Sequence, residues 1–265
     1  MTHRFVKPVA AVRREVGRYF AAQQFLTRVP CPAWTPFGPA DAAASIGWFP
    51  TVGVVVGAVV GGVAVALREL VSPSFAAVIA VALGAAVTGA FHEDGFADTC
   101  DAFGGYTVAR RREIMRDSRI GTFGAVGLVA LFAAKVSALT SIASVVSAPK
   151  LLAVAICAHT VSRAATVLAI RLIPAVNDPT SKTQLYRVRW PRVILALVVP
   201  TAPLAIWLLR WDAAFLGGAI VVLIEGARPF FQRFSDGISG DGLGALNQIA
   251  ELLTWAIVVH SLVNR

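Results

Sequence analysis

Residues 73–91 read PSFAAVIAVALGAAVTGAF, and residues 92–101, which follow directly, read HEDGFADTCD. The first stretch is almost wholly apolar and long enough to cross a hydrocarbon core of roughly 30 Å as a helix. The second carries four acids and a histidine. A group of acids placed directly after an apolar span is unusual, and ionisable residues at membrane depth mark functional sites. This junction therefore predicts a membrane fold with a polar site at one membrane face.

The whole chain has the composition of a membrane protein. Its 265 residues are 57% hydrophobic and 15% charged, and the mean hydropathy is +0.70, which is far from the values of soluble domains. We therefore predict an all-α, polytopic integral membrane helix bundle, with residues 45–265 as the transmembrane catalytic domain. About seven transmembrane helices are expected, at 45–67, 73–91, 120–146, 150–173, 191–209, 212–231 and 243–263.

Residues 1–44 form a separate N-terminal segment. Apolar side chains recur at helical spacing among arginine and lysine residues over 4–28, which predicts an interfacial amphipathic helix on the anionic inner leaflet. A plain surface anchor and a substrate-facing helix both fit this pattern. The prolines at positions 30, 32, 36 and 39 then predict an extended connector.

The basic residues predict the orientation. With the N-terminus in the cytoplasm, 18 of the 24 lysine and arginine residues fall in inside segments, as the positive-inside rule requires. The loops at 92–119, 174–190 and 232–242 are therefore expected in the cytoplasm. The net charge of +9 is divided among these loops, so no nucleic-acid partner is expected. The three cysteines have neither the number nor the spacing of a metal site.

Glycines in the first predicted span indicate a close helix contact. Gly53, Gly57 and Gly61 follow one another at intervals of four residues. Such a small-residue stripe lets another helix approach closely.

Three carboxylates in the acidic stretch share one helix face. Asp94, Asp98 and Asp101 are spaced i, i+4 and i+7. Like charges this close repel unless a cation joins them, and Mg²⁺ is usually held by carboxylates together with substrate phosphates. The spacing predicts a metal-dependent phosphate site, and a solvated acidic helix end is the alternative. Asp241, on a glycine-rich turn before the last span, is a further candidate metal ligand.

A second candidate site lies at residues 116–124, which read RDSRIGTFG and immediately precede the third span. Free N–H groups of a helix that begins near Gly121, flanked by Arg116 and Arg119, would form an anion site. Ordinary positive-inside charge explains the arginines as well, but it explains neither Asp117 nor the glycines.

Two cations fall inside predicted spans. Lys135 and Arg163 should face the bundle interior or an aqueous cavity, because exposure to lipid is costly. The acids available within spans are Glu225 and Glu251. A structural ion pair and direct phosphate contact are both consistent with this placement. His159, one turn before Arg163, is expected to form an interhelical hydrogen bond.

Several stretches resemble, in order, the cobalamin synthase family over about residues 25–251. The strings HxDGxADTxD at 92–101 and RDSRxGxxG at 116–124 are specific to it. The others are FLTRVP at 25–30, WFP at 48–50, IM at 114–115, and GDGLGA at 240–245 with Glu251. Members of this family are adenosylcobinamide-GDP ribazoletransferases.

The resemblance implies an enzyme of the inner membrane of a prokaryote, with a cytoplasmic N-terminus and active site. It would join adenosylcobinamide-GDP to α-ribazole or its 5′-phosphate, release GMP and require Mg²⁺. The lipid bilayer is a further expected partner, and a homo-oligomer stays open. Asp94, Asp98 and Asp101 would ligate the metal, and one of them or His92 would accept the ribazole proton. Substrate contacts would come from Arg116, Asp117, Ser118, Arg119, Lys135, Arg163 and Glu251.

The chain departs from the family pattern at three places. Glu93 stands where a leucine is usual and adds charge beside the carboxylates. Residues 175–184 lack the acidic, glycine-containing string of the family, and residues 236–240 replace a Gly-Gly-x-Thr-Gly pattern. These departures concern the contacts to the cobamide and the accepted base. The loop 174–190 is consistent with a lid and with a simple connector.

Two other functions fit part of the pattern. CDP-alcohol phosphotransferases also begin an aspartate cluster with Asp-Gly at the end of a span. Their pattern continues with a further glycine and two more aspartates, where this chain has Gly104, Gly105 and an arginine-rich stretch. A cation-coupled transporter would place charges at the bilayer midplane on interrupted helices, whereas the acids here collect at one membrane face.

Overall fold

The computed structural model describes residues 3–36, 38–177 and 188–263. These residues form twelve α-helices, and the described part of the chain contains no β-strand, only an isolated bridge between Ala175 and Ile238. The helices are α1 His3–Leu26, α2 Pro39–Ser45, α3 Phe49–Leu67, α4 Pro73–Thr88, α5 Phe91–Asp101, α6 Val108–Met115, α7 Thr122–Ala143, α8 Ala148–Leu172, α9 Trp190–Ala196, α10 Ala202–Leu209, α11 Asp212–Ser235 and α12 Gly240–Leu262.

The predicted membrane bundle is confirmed. Within the described ranges, six helical stretches are long and apolar enough to cross a membrane, and α4 and α5 together make a seventh if the bent pair counts as one span. The six are Asp41–Leu67, Thr122–Ala143, Ala148–Leu172, Trp190–Leu209, Asp212–Ser235 and Gly240–Leu262. Residues 178–187, which include most of the loop considered as a lid, lie outside the described residues.

The second predicted span is broken. Helices α4 and α5 meet at an angle of 92°. Gly89 and Ala90, at the break, have φ angles of 66° and 56°, a left-handed conformation that glycine adopts without strain and alanine does not. The apolar helix therefore does not continue into the acidic stretch. Residues 91–101 form a helix of their own, so Asp94, Asp98 and Asp101 still share one face.

Helix α8 lies at the centre of the bundle, with 78% of its most apolar window buried. Helix α3 packs directly on it along the predicted glycine stripe. A Cβ added at Gly53 would lie 2.4 Å from the carbonyl oxygen of His159, and one added at Gly57 would lie 2.5 Å from the Cα of Ile156. The stripe is needed because no larger side chain fits between these two backbones.

Helix α1 confirms the helix predicted over residues 4–28, and it is tied to the bundle through Glu15. The carboxylate of Glu15 accepts hydrogen bonds from both terminal nitrogens of Arg192, at 2.6 and 2.7 Å, and one from the indole of Trp48 at 3.2 Å. These donors, chiefly Arg192, lower the pKa of Glu15 to about 2. The pair therefore stays charged at neutral pH and joins the N-terminal helix to α9.

Candidate active site

The acidic helix α5 crosses the first turns of α12 at very short range. A Cβ added at Gly95 would lie 2.8 Å from the Cα of Asp241, and one added at Gly244 would lie 3.2 Å from the carbonyl oxygen of His92. Glycine at both positions permits this approach because a side chain would push the helices apart. The crossing places Asp241 beside the carboxylate face of α5.

Four carboxylates lie near this crossing. Asp94 is exposed, whereas Asp98, Asp101 and Asp241 are half-buried. The negative charges of Asp94, Asp241 and Asp101 all act unfavourably on Asp98. Among the described residues, no cationic side chain forms an ion pair with Asp94, Asp98 or Asp241. Either a bound cation or proton uptake by one of these carboxylates would relieve this repulsion.

The donor set suits a hard divalent cation, since it consists of carboxylate oxygens on two helices. These side chains do not yet converge: within the described residues, no group of three acidic, histidine or cysteine side chains lies close enough to enclose an ion. The metal-ligand roles of Asp94, Asp98, Asp101 and Asp241 stay predictions.

Asp101 caps the helix that was expected to bind an anion. Its two carboxylate oxygens accept hydrogen bonds from the backbone N–H groups of Gly121 and Gly124, each at 2.7 Å. A Cβ at either glycine would lie within 2.4 Å of this carboxylate. The prediction that the first N–H groups of α7 are free for a substrate anion is therefore wrong for these two. A carboxylate of the protein already satisfies them, as at an N-cap.

The RDSR loop lies beside this cap and is exposed. Arg119, 87% exposed, forms a two-pronged ion pair with Asp117, in which Nε and a terminal nitrogen donate at 3.0 and 2.7 Å. The guanidinium of Arg119 lowers the pKa of Asp117 to about 2. Arg116 and Ser118 are exposed on the same loop. Substrate contacts by these four residues stay predictions, and Asp117 holds the guanidinium of Arg119 in place.

The intramembrane cations belong to a buried cluster. Lys135 lies 2.9 Å from a carboxylate oxygen of Glu251, and the other oxygen lies 3.5 Å from Nδ1 of His159. Arg163 donates to the carbonyl oxygen of His159 at 2.9 Å. All four side chains are at most 8% exposed. The expected interhelical role of His159 fits this arrangement, and Glu251 is the acid that pairs with Lys135.

Sequence reasoning missed that Glu93, Gln248 and His92 belong to this cluster. Glu93, expected beside the metal ligands, turns inward: its carboxylate accepts from Gln248 at 3.1 Å and lies 3.8 Å from Nζ of Lys135. Gln248 also accepts a hydrogen bond from Lys135. His92 lines the same small cavity and is 3% exposed. The helical phase of α5 carries this signal, since residues 92 and 93 point away from the face of residues 94, 98 and 101.

Glu225, the other acid considered as a partner, does not join this cluster. It is exposed on the outer side of α11. None of the described residues pairs with its carboxylate. The expectation that it could serve Lys135 or Arg163 is therefore wrong.

Comparison with known proteins supplies the family. A family model described as Cobalamin-5-phosphate synthase matches residues 18–259. The adenosylcobinamide-GDP ribazoletransferases of Albidiferax ferrireducens and Leptothrix cholodnii are 37% and 38% identical to this chain, covering 89% and 93% of it and 95% and 96% of their own lengths. The enzyme of the same name from Vibrio cholerae is 32% identical over 94% of this chain and 96% of its own.

No solved structure matches the chain. The family model, however, spans every residue named in the carboxylate crossing and the buried cluster. From this match, the chain belongs to the cobalamin-5-phosphate synthase family.

Proposed function

We propose that the protein is a membrane-embedded adenosylcobinamide-GDP ribazoletransferase, which acts in the final step of cobalamin nucleotide-loop assembly. A ribose hydroxyl of α-ribazole, or of its 5′-phosphate, attacks the corrinoid-side phosphorus of the pyrophosphate. A new P–O bond forms, the P–O bond to GMP breaks, and the hydroxyl proton passes to a base. The structural observation that supports this proposal is the group of four carboxylates where α5 crosses α12, which form no ion pair with any cation among the described residues.

Mg²⁺ is part of the proposal. Asp94, Asp98 and Asp241 would hold it, because their oxygens carry no ion pair among the described residues. When bound, it would supply positive charge to the pyrophosphate. Asp101 contributes differently: through Gly121 and Gly124 it holds the start of α7, and with it the RDSR loop, against α5.

A carboxylate is the better candidate for the base. His92 is 3% exposed and lines the buried cavity, whereas Asp94 is exposed and Asp98 is half-buried on the opposite face of α5. A general base must come within hydrogen-bond reach of the hydroxyl that it deprotonates. We therefore assign proton removal to Asp94 or Asp98, and to His92 a place in the buried cluster.

The proposed location is the inner membrane, with the N-terminus and the carboxylate site in the cytoplasm. The basic loops support this orientation through the positive-inside rule. Single cysteines placed by Arg110→Cys or Asp236→Cys, in a background without native cysteines, should be shielded in intact cells from a membrane-impermeant thiol reagent. Labelling of either position would contradict the orientation.

The function is tested with purified protein in lipid nanodiscs. Adenosylcobinamide-GDP, α-ribazole and Mg²⁺ should yield adenosylcobalamin and an equal amount of GMP by chromatography. Removing Mg²⁺ with a chelator should stop turnover, and adding it back should restore turnover. Release of CMP from a CDP-alcohol, with no GMP from the corrinoid substrate, would instead identify the other phosphotransferase class.

The site is tested by Asp94→Asn and Asp98→Asn. Each should lower turnover about 100-fold or more while the protein still inserts. The reason is that a neutral amide binds Mg²⁺ poorly, so less positive charge is available to the pyrophosphate. Glu113→Gln is the matched control, since this exposed acid on α6 pairs only with Arg110 among the described residues. Near-normal turnover of both aspartate variants at saturating Mg²⁺ would rule out this cluster as the active site.

A further inference from the structure

Glu225 is an unexplained charge on the membrane-facing surface. It lies on α11, a candidate membrane span, and its side chain is exposed. No described residue forms an ion pair with it. Ionisable residues within membrane spans normally face the bundle interior and pair with one another. An outward-facing, unpaired glutamate therefore indicates that another molecule covers this side of α11.

Glu225 lies too deep in the membrane for its carboxylate to reach water. Trp211, 87% exposed just before α11, is placed to mark one membrane interface, as tryptophan commonly does. From Trp211, a hydrocarbon core of roughly 30 Å corresponds to about twenty residues of α11 and therefore ends at about Phe231. Glu225 lies six residues before this point, about 9 Å inside the core. Its short side chain cannot span that distance, whereas the longer side chain of Arg228 can reach the boundary.

The backbone at this position also lacks a hydrogen-bond donor. Pro229 lies inside α11 and has no N–H group, so the carbonyl oxygen of Glu225 loses its helical bond. At one point in the core, a carboxylate that pairs with none of the described residues thus lies beside a carbonyl oxygen that lacks its usual helical donor. Each such group costs several kcal/mol in hydrocarbon. The partner must therefore bring hydrogen-bond donors to this depth.

The same face of α11 provides suitable donors. Arg228 is exposed, and none of the described residues pairs with it. At about 100° per residue, Arg228 lies within about 60° of Glu225 around the helix. The small residues Ala214 and Gly218 are nearer still, and a Cβ at Gly218 would meet nothing within 4 Å. This face therefore combines an acid, a base one turn away and room for a second helix.

We propose that the α11 face of Ala214, Gly218, Glu225 and Arg228 binds the same face of a second copy of this chain. In a dimer whose two-fold axis runs along the membrane normal, each residue lies at the same membrane depth as its equivalent in the other copy. Arg228 of each copy is therefore displaced by one helical turn, along the membrane normal, from Glu225 of the other copy. A two-fold interface makes every such contact twice. Each Arg228 then donates to the carboxylate and the carbonyl oxygen of Glu225 across the interface, and no net charge is buried.

The test measures dimerisation in vesicles of purified, singly labelled protein, by counting photobleaching steps over a range of protein-to-lipid ratios. The wild type should form dimers as the ratio rises. Glu225→Arg and Arg228→Glu should each lower the association constant about tenfold or more, because all four charges at the interface then have the same sign and the cross-copy ion pairs are lost. The double variant, Glu225→Arg with Arg228→Glu, should restore much of it, since the cross-copy ion pairs re-form although the carbonyl oxygen of residue 225 loses its donor at position 228.

Two glycines provide a matched control for shape. Gly218 and Gly62 both have open space at an added Cβ, but Gly62 lies on α3. Gly218→Ile should weaken dimerisation, and Gly62→Ile should not. If a charge-reversed variant fails to insert, Glu225→Gln takes its place and should weaken dimerisation less. A wild type that stays monomeric at every ratio, or charge reversals that leave the association constant unchanged, would overturn the proposal.

Discussion

The buried pair of Lys135 and Glu251 should contribute strongly to stability, and only while both partners are present. Their charged atoms lie 2.9 Å apart, and the two side chains are 4% and 3% exposed. Removing one partner leaves the other charge buried without its nearest countercharge, which costs about 3–5 kcal/mol, because the next partners, Glu93 for Lys135 and His159 for Glu251, lie farther away at 3.8 and 3.5 Å. We therefore expect Lys135→Met and Glu251→Leu each to lower the free energy of unfolding by about that amount.

The double variant should be much less destabilised than the sum of the single ones. Without both Lys135 and Glu251, the remaining charges of the cluster are Glu93 and Arg163, which balance each other. Replacing a buried ion pair with apolar groups is often close to neutral. A double-mutant cycle should therefore give a coupling energy of about 2–3 kcal/mol, the upper range for residues in direct contact.

The measurement is reversible unfolding of the four proteins in mixed detergent micelles, followed by intrinsic fluorescence. The exposed pair of Arg110 and Glu113, at 2.7 Å with side chains 59% and 68% exposed, is the control, and its cycle should give less than about 1 kcal/mol. Additive losses at Lys135 and Glu251, or single losses below about 1 kcal/mol, would refute the argument that an uncompensated buried charge dominates.

Two further predictions concern the start of α7. Gly124→Ala places a Cβ 2.3 Å from the carboxylate of Asp101, so we expect the cap to break. The free energy of unfolding should then fall by about 0.5–2 kcal/mol in the same micelle assay. An unchanged free energy of unfolding would show that the cap does not stabilise the protein. Arg119→Lys keeps the charge but loses the planar fork. This variant should therefore insert normally yet lose about 1.5–3 kcal/mol of transition-state stabilisation, measured as kcat/KM for adenosylcobinamide-GDP. Asp117→Asn should lose less. Full activity of Arg119→Lys would mean that the arginine serves only to set the membrane topology.

The number of spans and the spacing of charge along them could be predicted from the sequence because both depend on local properties. A helix of about twenty apolar residues is required by the thickness of the bilayer, whatever it packs against. Helical periodicity likewise places residues 94, 98 and 101 on one face. The stripe of Gly53, Gly57 and Gly61 indicated a close helix contact but not that α8 supplies it. That choice depends on all the other helices at once.

The break between α4 and α5 could not be predicted from hydropathy, because an apolar run has the same hydropathy whether or not its φ angles change sign at Gly89 and Ala90. The direction in which the Glu93 side chain points depends on the rotation of α5 about its own axis. In the same way, the rotations of α11 and α12 decide that Glu251 rather than Glu225 pairs with Lys135. Periodicity gives the relative angles of side chains on one helix but not the neighbour that each angle meets.

The sequence by itself determined that this is a membrane protein with carboxylates gathered at the end of a span. The length of an apolar run and the angular positions of side chains around a helix both depend only on neighbouring residues in the chain. Only the tertiary structure decided that Asp101 caps α7, that Asp241 joins the carboxylates and that Lys135 pairs with Glu251. These contacts join residues far apart in the chain, and each depends on glycines or on the absence of water where two helices meet. The physical reason is that interactions across a helix crossing are set by the distance and rotation of two backbones, which no single stretch of sequence contains.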